Sequence, residues 1–246
     1  MKVVFRFVNA PGFGDNIRGL ITILQIQKKI NFDLEVDFSH HVFSNFFVHT
    51  SNLFISNYKQ YMFWDENIRN DFLMNEITTD MTISTNSYPI IEEIDEDIKM
   101  YLKKLFELKP EVKEYLKSKI SNLPKEYNLF HYRLGDEVLI YNQVVNNNIY
   151  LQNFKKNIKE NAVVISDSLT FKEIIFNDYE NVTVFLNKPT HTGNTGNNEE
   201  NIDTLVDFFL LTNAKSVNCY SIYRWISNFV FWTSIVYNVP LFNIKN

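Results

Sequence analysis

Seven residues just past the middle of the 246-residue chain, Phe130-His131-Tyr132-Arg133-Leu134-Gly135-Asp136, bring an imidazole, a guanidinium and a carboxylate together beside a glycine. An arginine at the end of a buried strand has few inexpensive structural uses, because its charge is costly to desolvate unpaired. Its planar fork matches a double-headed anion such as a diphosphate, whose developing charge it would neutralise as a metal ion does elsewhere. His131 and Arg133 stand at i and i+2, so on a strand both face one side and can share a ligand. Gly135 lets backbone approach that ligand closely. The structural alternative is an Arg133–Asp136 pair with His131 hydrogen-bonded in the core. The shared orientation of His131 and Arg133 favours the ligand.

Four other places carry candidate chemistry. Gly12-Phe13-Gly14-Asp15-Asn16 lies between a strand and a helix, where helix-start amides bind anions. It does not complete the G-x-G-x-x-G fingerprint, because the sixth position is Ile17, and no Walker lysine is present. An ordinary turn capped by Asp15 accounts for the same residues. Asp167 ends the run Val164-Ile165-Ser166, where it either bonds a ribose or base or caps a helix starting at Leu169. His191 sits in a polar loop over 187–201, and long loops in compact domains are often functional, although a lone loop histidine is commonly a bystander. Ser221, in Ser221-Ile222-Tyr223-Arg224-Trp225, either holds phosphate together with backbone amides or N-caps the next helix.

Other chemistries find no support. There is no H-E-x-x-H; the one Asp-x-Asp, Asp95-Glu96-Asp97, falls in the acidic run 92–97, which reads as a solvated helix start rather than a metal site; and His40 and His41 are adjacent, so they point apart in regular structure. The single cysteine, Cys219, lies in an apolar run, where a buried thiol is inert, and no G-x-S-x-G elbow is present. One cysteine cannot form an intramolecular disulfide, which favours a reducing, cytoplasmic setting. A net charge of −5 argues against broad nucleic-acid binding. The most apolar run, Trp225 to Phe242, is interrupted by Ser227, Asn228, Ser234, Asn238 and Pro240. It reads as a buried helix and strand, not a membrane span.

The elements that must position these groups follow from periodicity. Lys2 to Val8, Leu34 to Phe38 and Met81 to Thr85 read as strands. A helix with apolar positions Ile17, Leu20, Ile21, Leu24 and Ile30 follows the glycine turn, capped by Asp15 or Asn16. Gly19 inside it predicts close packing against a neighbour. Residues 39–90 are dense in aromatics without a clear period. Helices are predicted at Ile98–Leu108, after the acidic run 92–97, and at Glu111–Ile120, with Pro110 in the first turn. Strands follow at Tyr127–Tyr132, Ala162–Ser166, Val182–Leu186, Ser216–Cys219 and Leu241–Ile244. They alternate with helices at Ile149–Lys159, Leu169–Phe176, Ile202–Asn213 and Tyr223–Tyr237. This alternation predicts α/β architecture, with two Rossmann-like halves of parallel sheet over residues 1–122 and 123–246. In such sheets ligands lie outside the carboxyl ends of the strands, where Asp15, His131, Arg133, Asp167, His191 and Ser221 all fall.

Taken in order, Gly12-Phe13-Gly14-Asp15-Asn16-Ile17-Arg18-Gly19-Leu20, His131 to Asp136 (H-x-R-x-x-D), Ile165-Ser166-Asp167, Asp207 to Leu211 (D-x-x-L-L) and Ser221-Ile222-Tyr223 resemble the α1,2/α1,6- and protein O-fucosyltransferase superfamily. The resemblance runs from residue 3 to residue 242. It implies a GT-B fold with an acceptor-side N-terminal domain and a C-terminal nucleotide-sugar domain. It also implies metal-independent, inverting transfer of fucose from GDP-fucose, or another nucleotide sugar, to a glycan hydroxyl. By the same resemblance Arg133 binds the β-phosphate, His131 supports the nucleotide, Asp167 and Asp207 are nucleotide-side carboxylates, Ser221 meets phosphate, and Asp15 stands near the sugar. The base that deprotonates the acceptor is open among Asp15, Asp136, Glu137 and His191. Ile222 and Arg224 replace serines of the family pattern, and Leu134 replaces a basic residue. These departures motivate the alternative of a non-catalytic nucleotide- or glycan-binding module.

Overall fold

A computed structural model describes residues 1–49, 53, 55–63, 71–141, 148–158, 161–187 and 198–244. The chain divides into two units, Met1–Val112 and Lys113–Asn246. The division falls inside a helix that Pro110 opens, not in the stretch after it where the sequence suggested a boundary near 122. Residues just before that helix belong to the first unit, because Lys109 N–H donates to Phe46 O and Val48 N–H to Glu107 O.

The first unit runs β1 (Lys2–Arg6), α1 (Phe13–Ile30), β2 (Asp33–Asp37), a 3-10 turn (Val42–Asn45), β3 (Tyr58–Tyr61), α2 (Asp71–Glu76), β4 (Met81–Thr85) and α3 (Glu96–Leu105), followed by α4 (Pro110–Lys119) across the division. Its sheet has the order β2-β1-β4-β3, with every pair parallel. Aromatic residues that lacked a period supply its core. Phe43 and Phe47 reach it from the 3-10 turn and just beyond, and pack on Phe13, Phe38 and Phe106. A 3-10 turn has neither strand nor α-helix spacing, so these burials left no periodic mark. Gly19 does pack closely: a methyl there would sit 1.7 Å from the Thr85 carbonyl oxygen, so only hydrogen fits where α1 crosses β4.

The second unit runs β5 (Asn128–Arg133), α5 (Asp136–Tyr141), α6 (Asn148–Asn157), β6 (Ala162–Ser166), α7 (Leu169–Asp178), β7 (Val182–Val184), α8 (Asn198–Thr212), β8 (Ser216–Ser221), α9 (Asn228–Tyr237) and β9 (Leu241–Asn243). All its strand pairs are parallel, in the order β7-β6-β5-β8-β9. Counted from β5 this is 3-2-1-4-5, so the order reverses between β5 and β8. Such a reversal opens a ligand crevice at the carboxyl ends of those two strands. One face of the sheet is an aromatic layer. Tyr132 lies between Tyr220 and Phe171, with ring centroids 5.3 and 4.9 Å away, and Phe154 meets it edge-on.

Three local readings change. β5 runs on to Arg133, and α5 follows it at once. α9 begins at Asn228, not Tyr223, because the intervening amides are used elsewhere: Ile222 N–H donates to Arg133 O and Tyr223 N–H to Ser221 Oγ. Ser221 therefore does not cap a helix. Neither Asp15 nor Asn16 caps α1, whose N-cap is Gly12. Among the described residues no helix is long and apolar enough to cross a membrane.

Candidate functional site

Arg133 is the last residue of β5, at the reversal point. Its guanidinium is 16% exposed and lies between two carboxylates. Nη1 donates to Asp167 Oδ2 at 2.7 Å, and Nη2 donates to Asp136 Oδ1. The two partners differ in kind. Asp167 is nearly inaccessible, at 5%, whereas Asp136 is half exposed. The inner pair is buried, and the outer one opens to solvent.

Asp167 does more than pair. Oδ1 accepts Leu134 N–H at 2.7 Å, and Oδ2 also accepts Gly135 N–H at 2.9 Å. One carboxylate thus ties down both amides and the guanidinium of the loop after β5. The turn needs Gly135: its φ is +119°, and a methyl there would meet Ile222 Cδ1 at 2.7 Å. Burial raises the Asp167 pKa, while the Arg133 charge and the two amide bonds oppose that rise. Asp167 does not cap α7, because Ser168 does so by accepting Phe171 N–H. Its oxygens accept from Leu134, Gly135 and Arg133 of its own chain.

On the β8 side, Tyr223 closes the same loop. Its hydroxyl accepts Asp136 N–H at 3.0 Å and donates to Asp136 Oδ2 at 3.3 Å. Ser221 Oγ accepts Tyr223 N–H at 3.2 Å, so Ser221 shapes this turn beside Arg133, its register partner across β5 and β8. The sequence singled out the segment but assigned Tyr223 no part.

His131 is 7% exposed, with Nδ1 3.5 Å from Cys219 Sγ. Burial, helped by the Arg133 charge, lowers its pKa to about 3, so it is neutral, and burial pushes the Cys219 thiol up to about 12. Asp207 lies in a buried cluster. Asn187 Nδ2 donates to Asp207 Oδ1 at 3.1 Å, and Lys172 Nζ donates to Asn187 Oδ1 at 2.8 Å. Burial pushes the Asp207 pKa up to about 6 and lowers that of Lys172. Lys172, a fully buried lysine on the Phe171–Ile175 face of α7, was not singled out from sequence. His191 lies outside the described residues.

In the first unit, the glycine turn is locked by Asn16. Its side chain accepts Val8 N–H and donates to Val8 O and Gly12 O. Gly12 and Gly14 thus stand at the amino end of α1, at the carboxyl end of β1. Asp15 Oδ1 pairs with Arg18 Nη2 at 2.9 Å, and Arg18 is itself buried, with Nε on Asn86 O and its guanidinium over the Tyr88 ring. His41, buried against Phe7, Phe13 and Phe43, has its pKa lowered to about 3 by desolvation. A histidine with a depressed folded pKa adds stability above its unfolded value of about 6.5. That stability is lost as pH falls from there towards 3, because only the unfolded chain takes up the proton. In urea melts at pH 7, 6, 5 and 4 the loss from this group is expected to be about 0.7 kcal/mol between pH 7 and 6 and to approach about 1.4 kcal/mol per pH unit below pH 6. His41→Phe should flatten that slope; an unchanged slope would assign the acid sensitivity to other groups.

No protein-family model matches the chain, and no curated protein matches it in sequence. Solved structures do match. The α-1,6-fucosyltransferase NodZ co-crystallised with GDP aligns with a TM-score of 0.59 at 15% identity, over 98% of this chain and 93% of that one. A mutant of Arabidopsis thaliana FUT1 in complex with GDP gives 0.64 at 10% identity, over 100% and 70%. POFUT1 in complex with GDP-fucose gives 0.52 at 11%, over 99% and 97%. The chain shares the fold of these fucosyltransferases. Two Rossmann-like α/β units of parallel sheet, as in GT-B glycosyltransferases, are what the sequence alternation predicted. At these identities the likeness is one of fold, and the chemistry is argued from the residues.

Proposed function

We propose that this chain is a glycosyltransferase that moves fucose from GDP-fucose to a glycan hydroxyl with inversion and without a metal ion. The observation that carries the reading is Arg133, paired with a buried carboxylate at the strand-order reversal, with its outer side on a half-exposed one. Fold-mates bound to GDP and GDP-fucose support the donor class. The second unit would hold the nucleotide sugar and the first the acceptor. The lone cysteine supports a reducing, cytoplasmic setting.

In the proposed reaction the acceptor oxygen bonds to the anomeric carbon as the bond from that carbon to the β-phosphate oxygen breaks. The electron pair leaves on the diphosphate, and Arg133 stabilises the charge arriving there. The acceptor proton passes to a base, for which Asp15, Asp136, Glu137 and His191 are the candidates. Arg133 has five N–H donors, so the Asp167 bond leaves several for phosphate once Asp136 exchanges.

A thermal-shift panel of GDP, UDP, TDP and CMP tests the donor. GDP alone should raise the unfolding temperature, because a ligand at 100 times its Kd adds about 2.7 kcal/mol. A shift with UDP and none with GDP would defeat the assignment. Transfer abolished by a chelator and restored by a divalent ion would contradict metal independence. The second reading, a non-catalytic binding module, draws on the engagement of both Arg133 terminal nitrogens by carboxylates and on Ile222 and Arg224 in the β8 turn. It predicts GDP binding with neither transfer nor hydrolysis of GDP-fucose.

A further inference from the structure

Beyond β8 the chain builds a flat aromatic surface that the proposed reaction does not yet use. The rings of Tyr223 and Trp225 are parallel within 9°, with centroids 5.1 Å apart, in the range of a favourable offset stack. Trp225 is 62% exposed, and neighbouring Ile222 is 43% exposed. Scattered apolar residues on a surface need no explanation, but Tyr223 and Trp225 are held parallel to each other by their stack. The surface is anchored to the site at two points: Ile222 N–H donates to Arg133 O, and the Tyr223 hydroxyl is bonded to Asp136, which pairs with Arg133.

We infer that the outer face of Trp225 is a stacking subsite for the pyranose ring of the nucleotide-sugar donor. The inference rests on the donor reading above. The argument is one of covalent reach. If Arg133 holds the β-phosphate, the ring joined directly to that phosphate is the sugar, whereas the base is a further phosphate and a ribose away. Tyr223 is a single side chain from Arg133, through Asp136, and Trp225 stacks directly on Tyr223. A deoxy sugar presents C–H bonds and a methyl group on one ring face, which suits an apolar, electron-rich indole.

Calorimetric titration of GDP and of GDP-fucose into wild type, Trp225→Ala and Trp225→Phe tests this. Trp225→Ala should leave GDP affinity unchanged and weaken GDP-fucose about tenfold, the worth of one aromatic contact. Trp225→Phe should recover most of the loss. Equal weakening of GDP and GDP-fucose would place the base on Trp225 and overturn the assignment, as would unchanged affinity for both. Failure of the wild-type protein to bind GDP at all would instead remove the donor reading itself.

Discussion

Replacing Arg133 with alanine is expected to lower the proposed transfer by roughly 10³-fold, the scale seen when one preorganised group facing a developing negative charge is removed. The same change leaves the Asp167 carboxylate without its cation in a site 5% exposed, so some stability goes with it. Arg133→Lys separates the two effects. A lysine retains the charge that Asp167 needs but not the fork that spans two acceptors, so its unfolding temperature should stay near wild type while turnover falls about 10²-fold. Turnover is to be read beside circular dichroism and thermal melts. A folded Arg133→Ala protein with wild-type turnover would show that leaving-group stabilisation resides elsewhere.

Asp167→Asn should be the most damaging conservative substitution in the second unit. Asn has one acceptor oxygen where Asp167 now receives Leu134 N–H, Gly135 N–H and Arg133 Nη1, and its amide would set a donor against donors. Loss of a charge-assisted bond and a backbone bond in a buried place costs about 2–4 kcal/mol, or roughly 5–15 °C in unfolding temperature for a chain of this size. Ligand affinity distinguishes this positioning role from direct nucleotide contact. If Asp167 positions Arg133, GDP and inorganic pyrophosphate weaken together in the variant. A ribose ligand would instead lose GDP affinity, keep pyrophosphate affinity and leave stability nearly intact, and that result would refute the positioning role.

Much of the framework was legible because burial leaves a periodic trace. The opening strand, glycine turn, helix and strand, the runs 81–85 and 162–166, and a helix opened by Pro110 all follow from apolar spacing and backbone stereochemistry. Gly19 was legible as a close approach because a mid-helix glycine costs stability unless something needs the space. The clustering of Arg133, Asp167 and Ser221 at strand ends followed from parallel topology alone, since every parallel strand delivers its carboxyl end to one edge.

What the tertiary structure decided was where each polar group points. Periodicity assigns a residue to a face or an edge, not to a partner. Tyr132 pairs with Ser166 in the β5–β6 register, and that pairing sets Asp167 beside Leu134 and Gly135 instead of the start of α7. The Tyr223 hydroxyl reaches Asp136 across 87 residues of chain, which no local pattern encodes. Asp207, grouped with the nucleotide side by resemblance, is held by α8 in a buried cluster with Asn187 and Lys172, partners that no local pattern names. Helix starts moved for the same reason. Asn16 and Ser221 hold loop backbone instead of capping α1 and α9, because a short polar side chain bonds whichever amide the fold brings nearest.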